Sequence, residues 1–423
     1  MGNIIVGCVA DDFTGASDVA SFFVKAGIKT YLFSGVPKDT IDFSSHNIAV
    51  VIALKTRTQD KSGAVNHSMD AFEWLIENGA EKLFFKYCST FDSTKEGNIG
   101  PIIDSVLEKF NIKYTILCPA LPVNGRIVKD GHLLVDGVPL HETHMKDHPL
   151  TPMWDSDISK LMKPQGKYDS LKIDYKMLKK SKEKILEIIN KFGKDREHFY
   201  VIPDYINDED GKKIIEVFGD IPLLTGGSGL IYDLGIKYRD FTKKTKGIPN
   251  SKVKGKAMVL AGSCSKVTLE QIDDYIKKGY KTYKLDPIGL YNGNQTKESI
   301  WKNIELGDFN NILVYSSDTP QAVREAQKYG VSNVSNLLEE TIAYIAKKAI
   351  NSGYKRLIVA GGETSGAVTK SLGYTDYIVG ESIAPGVPVM VPIADNSVRL
   401  VLKSGNFGQR DFFHRAIKYT EEN

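Results

Sequence analysis

The chain has 423 residues, of which 42% are hydrophobic and 25% charged, so its length predicts two folded domains and its composition argues against global disorder. The formal net charge of +3 is small, and the lysines are scattered without interleaved aromatic residues, which argues against a nucleic-acid partner. The start predicts no signal peptide, no apolar stretch reaches the roughly 20 residues of a membrane span, and four separated cysteines fit reduced thiols, so we expect a cytoplasmic protein without a membrane partner.

Strand-like apolar runs alternate with helical patterns through the first half of the chain, as in βαβ units of a mostly parallel sheet. The predicted strands are 4–10, 30–34, 48–54, 82–86, 114–118, 199–203 and 221–225. The predicted helices are 16–26, 64–78, 101–110, 155–163, 178–192 and 228–239. Residues 119–153 break the alternation with five prolines and four histidines. We predict a long loop there that is functional or mobile.

A second domain follows the lysine-rich stretch 242–256, which is the best linker candidate. Its predicted strands are 257–262, 281–285, 311–315 and 356–360, with helices after residue 265 and at 319–329 and 335–350. Two apolar runs on either side of Asp395-Asn396 predict a β-hairpin near the C-terminus. The expected fold is therefore two α/β domains, residues 1–241 and 257–423, with mostly parallel sheets and a ligand cleft between them.

Polar residues follow the carboxyl ends of the predicted parallel strands in the first half. Asp11 and Asp12 end the first strand, where Asp12 at the least caps the next helix. Further candidates follow later strands: Lys55, Arg57, Lys86, Ser89, Asp92, Asn98 and Gly227. Ligands bind open parallel sheets at these ends, so the residues are expected to converge in one crevice. Cations that bind carboxylates, together with hydroxyls and carboxylates, suit a small polyhydroxylated anion such as a sugar acid, although each cation taken singly is as often merely solvated.

Three turns of small residues distinguish the second half: Gly262–Ser265, Ala360–Gly366 and Lys403–Gly408. The first two join a predicted strand to a predicted helix, where glycine lets a phosphate approach the backbone and the helix start offers unpaired N–H groups. Three such turns in one domain favour a nucleotide site over simple chain reversal. The P-loop motif, the protein-kinase motifs and the dinucleotide fingerprint are all absent from the sequence.

The histidines of the central stretch raise the question of a metal site. His132, His141, His144 and His148 match no standard zinc spacing, and loop histidines more often form hydrogen bonds. We therefore predict no structural metal.

These motifs resemble those of a known family. The stretch Ala10–Asp18 resembles the opening signature of the four-carbon acid sugar kinases. Later segments are similar to further motifs of that family: Phe85–Thr94, Gly97–Pro101, Gly361–Gly366, Ile383–Pro388, Lys403–Gly408 and Asp411–Phe413. Pro119–Arg126 and His148–Met153 are similar to segments of the subgroup that acts on 3-oxo-tetronates. The resemblance implies an N-terminal sugar-acid domain, a C-terminal nucleotide domain and phosphate transfer from ATP to a terminal hydroxyl.

The resemblance and the strand-end chemistry together assign roles. Asp12 is the first candidate to accept the proton of the hydroxyl, Asp92 is the second, and Asp11 orients substrate or binds metal. The expected substrate-binding residues are Lys55, Arg57, Lys86, Ser89, Asn98 and Gly227. The expected ATP-binding residues are Ser263, Ser265, Gly361, Gly362, Glu363, Thr364, Gly405 and Asn406. Mg²⁺ is expected to arrive with ATP, with Glu363 as its candidate protein contact.

Other functions stay open at this point. A D-threonate or D-erythronate kinase keeps the family and changes the substrate. A nucleotide-dependent sugar-acid sensor keeps both ligands and lacks turnover, and a dehydrogenase is disfavoured by the missing dinucleotide fingerprint. The sequence leaves the oligomeric state open, with a homodimer as one option.

Overall fold

The computed structural model describes residues 4–38, 43, 47–147, 151–239, 248–319, 325, 328 and 331–422. The chain divides into two compact units, Met1–Gly247 and Ile248–Asn423. The division falls inside the predicted linker, of which residues 242–247 lie outside the described ranges. The remainder of that stretch is held in the second unit, since the Val253 N–H donates to the Thr420 carbonyl over 2.9 Å.

The first unit alternates strands and helices as predicted. Its strands are β1 (Ile4–Ala10), β2 (Lys29–Ser34), β3 (Ile48–Ala53), β4 (Leu83–Lys86), β5 (Tyr114–Cys118), β6 (Arg126–Lys129), β7 (His132–Val135), β8 (Val138–Pro139), β9 (Ser170–Ile173), β10 (Phe199–Pro203) and β11 (Leu223–Gly226). Its helices are α1 (Phe13–Lys25), α2 (Lys61–Glu77), α3 (Ile99–Lys109), α4 (Ile158–Met162), α5 (Tyr175–Leu178), α6 (Lys182–Gly193), α7 (Asp208–Phe218) and α8 (Ile231–Tyr238). Each predicted strand of this half is present to within two residues at either end.

The main sheet of the first unit is entirely parallel and has the strand order β2-β3-β1-β4-β11-β5-β10-β9. Its central strands are buried on both faces, which explains their continuous apolar runs. The last residues of five neighbouring strands lie in register: Ala53, Ala10, Lys86, Gly226 and Cys118. The chain therefore leaves these strands at one common edge.

The long loop predicted for residues 119–153 is wrong. Strands β6, β7 and β8 form a small antiparallel sheet, and three 3₁₀ turns flank it. Asp130-Gly131 and Asp136-Gly137 turn the chain with positive φ at both residues, as two-residue hairpins require. Two Asp-Gly pairs between short apolar runs were the signal that the prediction missed. Residues 148–150, part of a motif noted in the sequence, lie outside the described ranges.

The second unit also has a mostly parallel sheet. Its strands are β12 (Lys256–Ala261), β13 (Thr282–Lys284), β14 (Asn311–Tyr315), β15 (Tyr354–Ala360), β16 (Asp376–Ala384), β17 (Val387–Pro392) and β18 (Arg399–Lys403). Its helices are α9 (Lys266–Lys277), α10 (Pro287–Tyr291), α11 (Lys297–Leu306), α12 (Val331–Asn351), α13 (Gly362–Leu372) and α14 (Phe412–Thr420). Most of the predicted helix 319–329 lies outside the described ranges.

Strand order in this unit is β13-β14-β12-β15-β18-β17-β16, with the first five strands parallel. The antiparallel pair β17 and β18 confirms the predicted C-terminal hairpin, and β16 adds a further antiparallel strand. The ends of four neighbouring parallel strands again lie in register: Tyr315, Ala261, Ala360 and Lys403. None of the helices in the described ranges has the length and apolarity to cross a membrane.

Candidate active site

The two adjacent aspartates stand at the common strand edge of the first unit. Strand β1 ends at Ala10, and the Asp11 N–H continues its pairing by donating to the Lys86 carbonyl over 3.0 Å. Asp12 has extended backbone and caps α1, because its Oδ1 accepts the Gly15 N–H over 2.6 Å. The predicted capping role of Asp12 is therefore present, and its other oxygen is left for a second partner.

The guanidinium of Arg57 lies close to three aspartates at this strand edge. Its Nε and Nη2 each donate to a different oxygen of Asp11 over 2.9 Å, a bidentate pair. Nη2 also lies 3.0 Å from Oδ2 of Asp12, while Nη1 is 4.0 Å from Asp92. Within the described part of the chain Nη1 makes no hydrogen bond, and its nearest carboxylate is Asp92 at 4.0 Å, so its N–H groups remain available to a ligand.

Burial sets the electrostatics of this cluster. Burial raises the pKa of the Asp11 carboxyl, and the charge and hydrogen bonds of Arg57 oppose that rise. Burial lowers the pKa of the Arg57 guanidinium, but the negative charges of Asp11 and Asp12 outweigh the effect of burial. The pKa of the guanidinium is therefore raised above its usual range. The Asp11 side chain is only 5% exposed, whereas the Asp12 side chain is 32% exposed. Asp12 is thus the more accessible carboxylate of the adjacent pair.

A second cation, Lys86, lies close to the first turn of α1. Its side chain is buried and its ammonium donates to the Tyr87 carbonyl over 2.8 Å. A side chain added at Gly15 would meet this ammonium at 3.0 Å, so glycine leaves room for the cation beside the helix start. Burial raises the pKa of Asp18, while the Lys86 charge and a hydrogen bond from Ser228 lower it. Sequence reasoning did not assign Asp18 or Ser228 to the site.

The remaining predicted substrate residues divide into supporting and accessible groups. The Asn98 amide nitrogen donates to the carbonyls of Thr56 and Gln59 over 2.7 and 2.8 Å, which holds the segment that carries Arg57. Buried Asp92 accepts a hydrogen bond from the Thr90 hydroxyl over 2.6 Å.

Three further predicted residues follow the same strand ends. The Gly227 N–H donates to the Cys118 carbonyl over 3.0 Å, and a side chain there would meet the Pro119 carbonyl at 2.4 Å. Lys55 is exposed, and Ser89 is half-buried. Among the described residues Lys55 makes no ion pair, so its ammonium is free for solvent or ligand.

In the second unit the three predicted turns converge at the common strand edge. A side chain on Gly262 would meet the Thr364 hydroxyl at 2.2 Å, and one on Gly405 would meet the Ser263 hydroxyl at 2.2 Å. Gly361 has φ of +126° and would place a side chain 3.2 Å from the Ser263 nitrogen. Glycine suits the positive φ of Gly361, and at positions 262 and 405 it leaves room for hydroxyl groups of the neighbouring turns.

Helix α13 starts within this convergence. Gly362, Glu363 and Thr364 form its first turn, where the N–H groups have no partner inside the helix. Such groups form a ready site for an anion. The predicted nucleotide residues Ser263, Gly361, Thr364 and Gly405 thus belong to one cluster, with Ser265 donating to the Gly405 carbonyl over 2.7 Å.

A cavity of about 610 Å³ opens beside this cluster within the second unit. Gly262, Cys264, Glu363 and Thr364 line it, together with residues that sequence reasoning missed. The added apolar lining is Leu285, Pro287, Ile288, Val334, Leu338 and Ile342, and the added acidic lining is Asp286, Asp318, Glu325 and Glu339. The volume suits a drug-sized ligand. The missed residues come from four separate segments, which no single motif in the sequence could reveal.

Carboxylates of the cavity meet near the start of α13. Burial raises the pKa of Glu339, and the nearby charge of Glu363 raises it further. Within the described ranges no group of three or more His, Cys, Asp or Glu side chains is placed to hold a metal ion. Glu363 is the cavity carboxylate that lies in the first turn of α13, and Mg²⁺ binds phosphates and water together with one or two such protein carboxylates.

Comparison with known proteins links each unit to a described domain. Residues 6–234 match a family model described as a sugar-binding N-terminal domain, and residues 258–413 match one described as a nucleotide-binding C-terminal domain.

Full-length relatives are also similar. A 3-oxo-tetronate kinase of Haemophilus influenzae is 38% identical over 415 residues, 97% of this chain and 99% of the relative. One of Pseudomonas savastanoi pv. phaseolicola is 38% identical over 419 residues, with coverage of 98% and 97%. A crystal structure of a Haemophilus influenzae protein superposes with a TM-score of 0.85 at 38% identity, with coverage of 97% and 99%.

Proposed function

The chain belongs to the four-carbon acid sugar kinase family, and on that premise we propose that it transfers the γ-phosphate of ATP to the C4 hydroxyl of a 3-oxo-tetronate. Relatives named 3-oxo-tetronate kinase match nearly the whole chain. The observation that carries the proposal is the cluster of Asp11, Asp12 and Asp92 around Arg57, at an edge where a small ligand binds an open parallel sheet.

The substrate side of the proposal uses groups whose hydrogen-bonding capacity is not exhausted. Nη1 of Arg57 and the exposed ammonium of Lys55 are available to the carboxylate of the acid, with Lys86 close to the helix start. Ser89, Asn98 and Gly227 shape the same edge. A 3-oxo-tetronate is a small anion, and these cations offset its charge beside the aspartates.

Asp12 is the proposed general base. A base must be within hydrogen-bond reach of the proton that it removes, so it must be open to the substrate. Asp12 is the most exposed of the three carboxylates around Arg57, since Asp11 and Asp92 are almost fully buried. Arg57 holds Oδ2 of Asp12 and the Gly15 N–H holds Oδ1, which fixes the carboxylate in place. Asp92 remains the second candidate.

The ATP side of the proposal uses the second unit. The apolar lining of the cavity suits the base, and its carboxylates suit the ribose hydroxyls. The phosphates bind at the N–H groups of Gly362, Glu363 and Thr364 and at the turn through Gly405 and Asn406. Glu363 is the carboxylate for Mg²⁺, a cation that binds phosphates and water together with one or two protein carboxylates. Phosphoryl transfer then depends on positioning and charge stabilisation.

A coupled assay of ADP release tests the proposal. We expect ADP to form only when ATP and a 3-oxo-tetronate are both present. A protein that binds both ligands and releases no ADP with any sugar acid would be a sensor and would contradict the kinase assignment.

The four free cysteines support a reducing compartment, and we place the reaction in the cytoplasm.

A further inference from the structure

A buried lysine lies beneath the nucleotide turns. Lys403 is the last residue of β18 and is only 2% exposed. Its ammonium donates to the Thr268 hydroxyl and to the Gly405 carbonyl, each over 3.1 Å. Within the described ranges it makes no ion pair with a carboxylate, which is unusual for a fully buried lysine. Neither the sequence motifs nor the proposed mechanism has yet given this cation a role.

The Gly405 carbonyl is the focus of the hydrogen bonds beneath the turn. It accepts from Lys403, from the Ser265 hydroxyl over 2.7 Å and from the Thr268 hydroxyl over 2.9 Å. A trans peptide unit is planar, so its N–H points away from its carbonyl oxygen. The Gly405 oxygen points toward its three donors on Lys403, Ser265 and Thr268. The N–H of Asn406 belongs to the same peptide unit and therefore points away from this buried cluster.

The same lysine backbone joins the turns to each other. Its carbonyl accepts the Gly361 N–H over 3.0 Å, at the residue before α13. Gly405 itself packs on the hydroxyls of Ser263 and Ser265. Lys403 is thus connected to all three turns that the proposed function assigns to the ATP phosphates.

We propose, on the basis of the proposed function, that Lys403 is a positioning residue of the nucleotide site: it aims the Asn406 N–H at the phosphates and becomes protonated as they bind. The buried ammonium has no compensating carboxylate in the free protein. Phosphates arriving above the turn supply the missing negative charge. Nucleotide binding and proton uptake are therefore linked at this side chain.

Burial lowers the pKa of Lys403 to about 7 in the free protein. Other elements packed on β18 contain these titratable groups: Lys266, Glu270, Asp273, Asp274, Tyr275 and Lys277 on α9, Tyr354, Lys355 and Arg356 on β15, Glu363 and Lys370 on α13. Burial, and not the charge of any of these groups, is the cause of the lowered pKa of Lys403. Above pH 7 the free protein holds a neutral amine, and binding of phosphates takes up a proton. The affinity for nucleotide therefore falls as pH rises through 7.

Calorimetry with Mg·ADP on the full chain tests this inference. At pH 8, titrations in buffers of different ionisation enthalpy are expected to reveal uptake of close to one proton by the natural protein. At pH 6 the uptake is expected to be near zero, because Lys403 is already protonated. The affinity is expected to fall by up to about tenfold per pH unit above 7.

Two substitutions separate positioning from structure. Lys403→Met leaves the Gly405 carbonyl with its two hydroxyl donors. It should abolish the proton uptake and weaken Mg·ADP binding at least tenfold at pH 6.5, while the melting temperature of the free protein is unchanged or higher. Lys281→Met, at an exposed lysine of the same unit, is the matched control and should behave as the natural protein. The titration of ADP itself is common to all variants and cancels in the comparison.

The contradicting results are distinct. Absence of proton uptake by the natural protein at pH 8, in spite of tight binding, overturns the inference without reference to any variant. Loss of binding in Lys403→Met together with a lower melting temperature assigns the lysine a structural role instead. No Mg·ADP binding by the natural protein would overturn the proposed function, and the inference with it.

Discussion

The two carboxylate oxygens of Asp12 make different contacts. One oxygen caps α1 and the other meets Arg57, while about a third of the side chain stays open to solvent. The cap explains why an aspartate is tolerated there, and the contact with the guanidinium explains why its carboxylate stays oriented. A general base needs both, a fixed position and an accessible lone pair.

The substitution Asp12→Asn tests the base. Asparagine still accepts the Gly15 N–H, so the helix cap is preserved, but it cannot take a proton. We expect turnover to fall by about 10²–10⁴-fold, while calorimetry gives unchanged Mg·ADP affinity. Asp174→Asn removes a carboxylate from the cap of α5 and serves as the control. Turnover within threefold of the natural protein in Asp12→Asn would move the role to Asp92.

Arg57 is expected to matter for stability as well as for turnover. Lysine cannot reproduce the bidentate geometry, so Arg57→Lys leaves one oxygen of buried Asp11 without its partner. We expect a loss of about 1–3 kcal/mol in the free energy of unfolding and a lower turnover. Arg196→Lys changes an exposed pair with Asp169 and should cost under about 1 kcal/mol. Urea unfolding of the full chain that shows equal effects for both would contradict the structural role.

Aligned strand ends bring together the residues of both candidate sites. Five neighbouring strands of the first unit end in register, and so do four neighbouring strands of the second unit. Within each unit, residues that are far apart in sequence therefore lie at the same edge of the sheet. The sequence predicted this convergence because apolar runs followed by polar residues reveal each strand end. It could not predict which cation would pair with which carboxylate, since that depends on rotamers of Arg57 and Lys86.

Several of the elements that the prediction missed have low apolar content. Strands β6 to β8 are short and half-exposed, so their Asp-Gly turns were a better guide than hydrophobicity. Helix α7 is held by a capping box between Asn207 and Asp210, a local signal that went unused. The cavity of the second unit depends on tertiary packing of α10 and α12 against strand ends. No local pattern encodes such a space.

The substitution Gly405→Ala tests whether the turn through Gly405 and Asn406 binds the nucleotide. In Gly405→Ala the new methyl group would approach the Ser263 hydroxyl to 2.2 Å and the Ser265 hydroxyl to 3.0 Å. The turn must move, and the Asn406 N–H with it. We expect at least a tenfold loss of Mg·ADP affinity by calorimetry, with sugar-acid affinity retained as the internal control. Equal loss of both affinities would indicate general misfolding rather than a displaced turn.

The proposed function assigns one ligand to each of the two units. The first offers paired carboxylates and cations, and the second offers N–H groups and an apolar cavity. The matches to a sugar-binding and a nucleotide-binding domain follow the same division.

Hydrogen exchange on the full chain tests that division. Mg·ADP is expected to slow exchange at residues 262–265, 361–366 and 404–408, because ligand binding suppresses local opening. A 3-oxo-tetronate alone is expected to protect the segments at 11–16, 55–59 and 86–98. Protection of the first set by the sugar acid, or of the second by Mg·ADP alone, would contradict the assignment of ligands to units.

A comparison of kcat/KM among sugar acids tests the proposed substrate. 3-Oxo-tetronates, D-threonate and D-erythronate are assayed with ATP in one coupled ADP-release assay, and the product is identified by ³¹P and ¹³C NMR. We expect the highest kcat/KM for a 3-oxo-tetronate, with phosphate on the C4 oxygen. A higher kcat/KM for D-threonate or D-erythronate, or phosphate at another position, would contradict it.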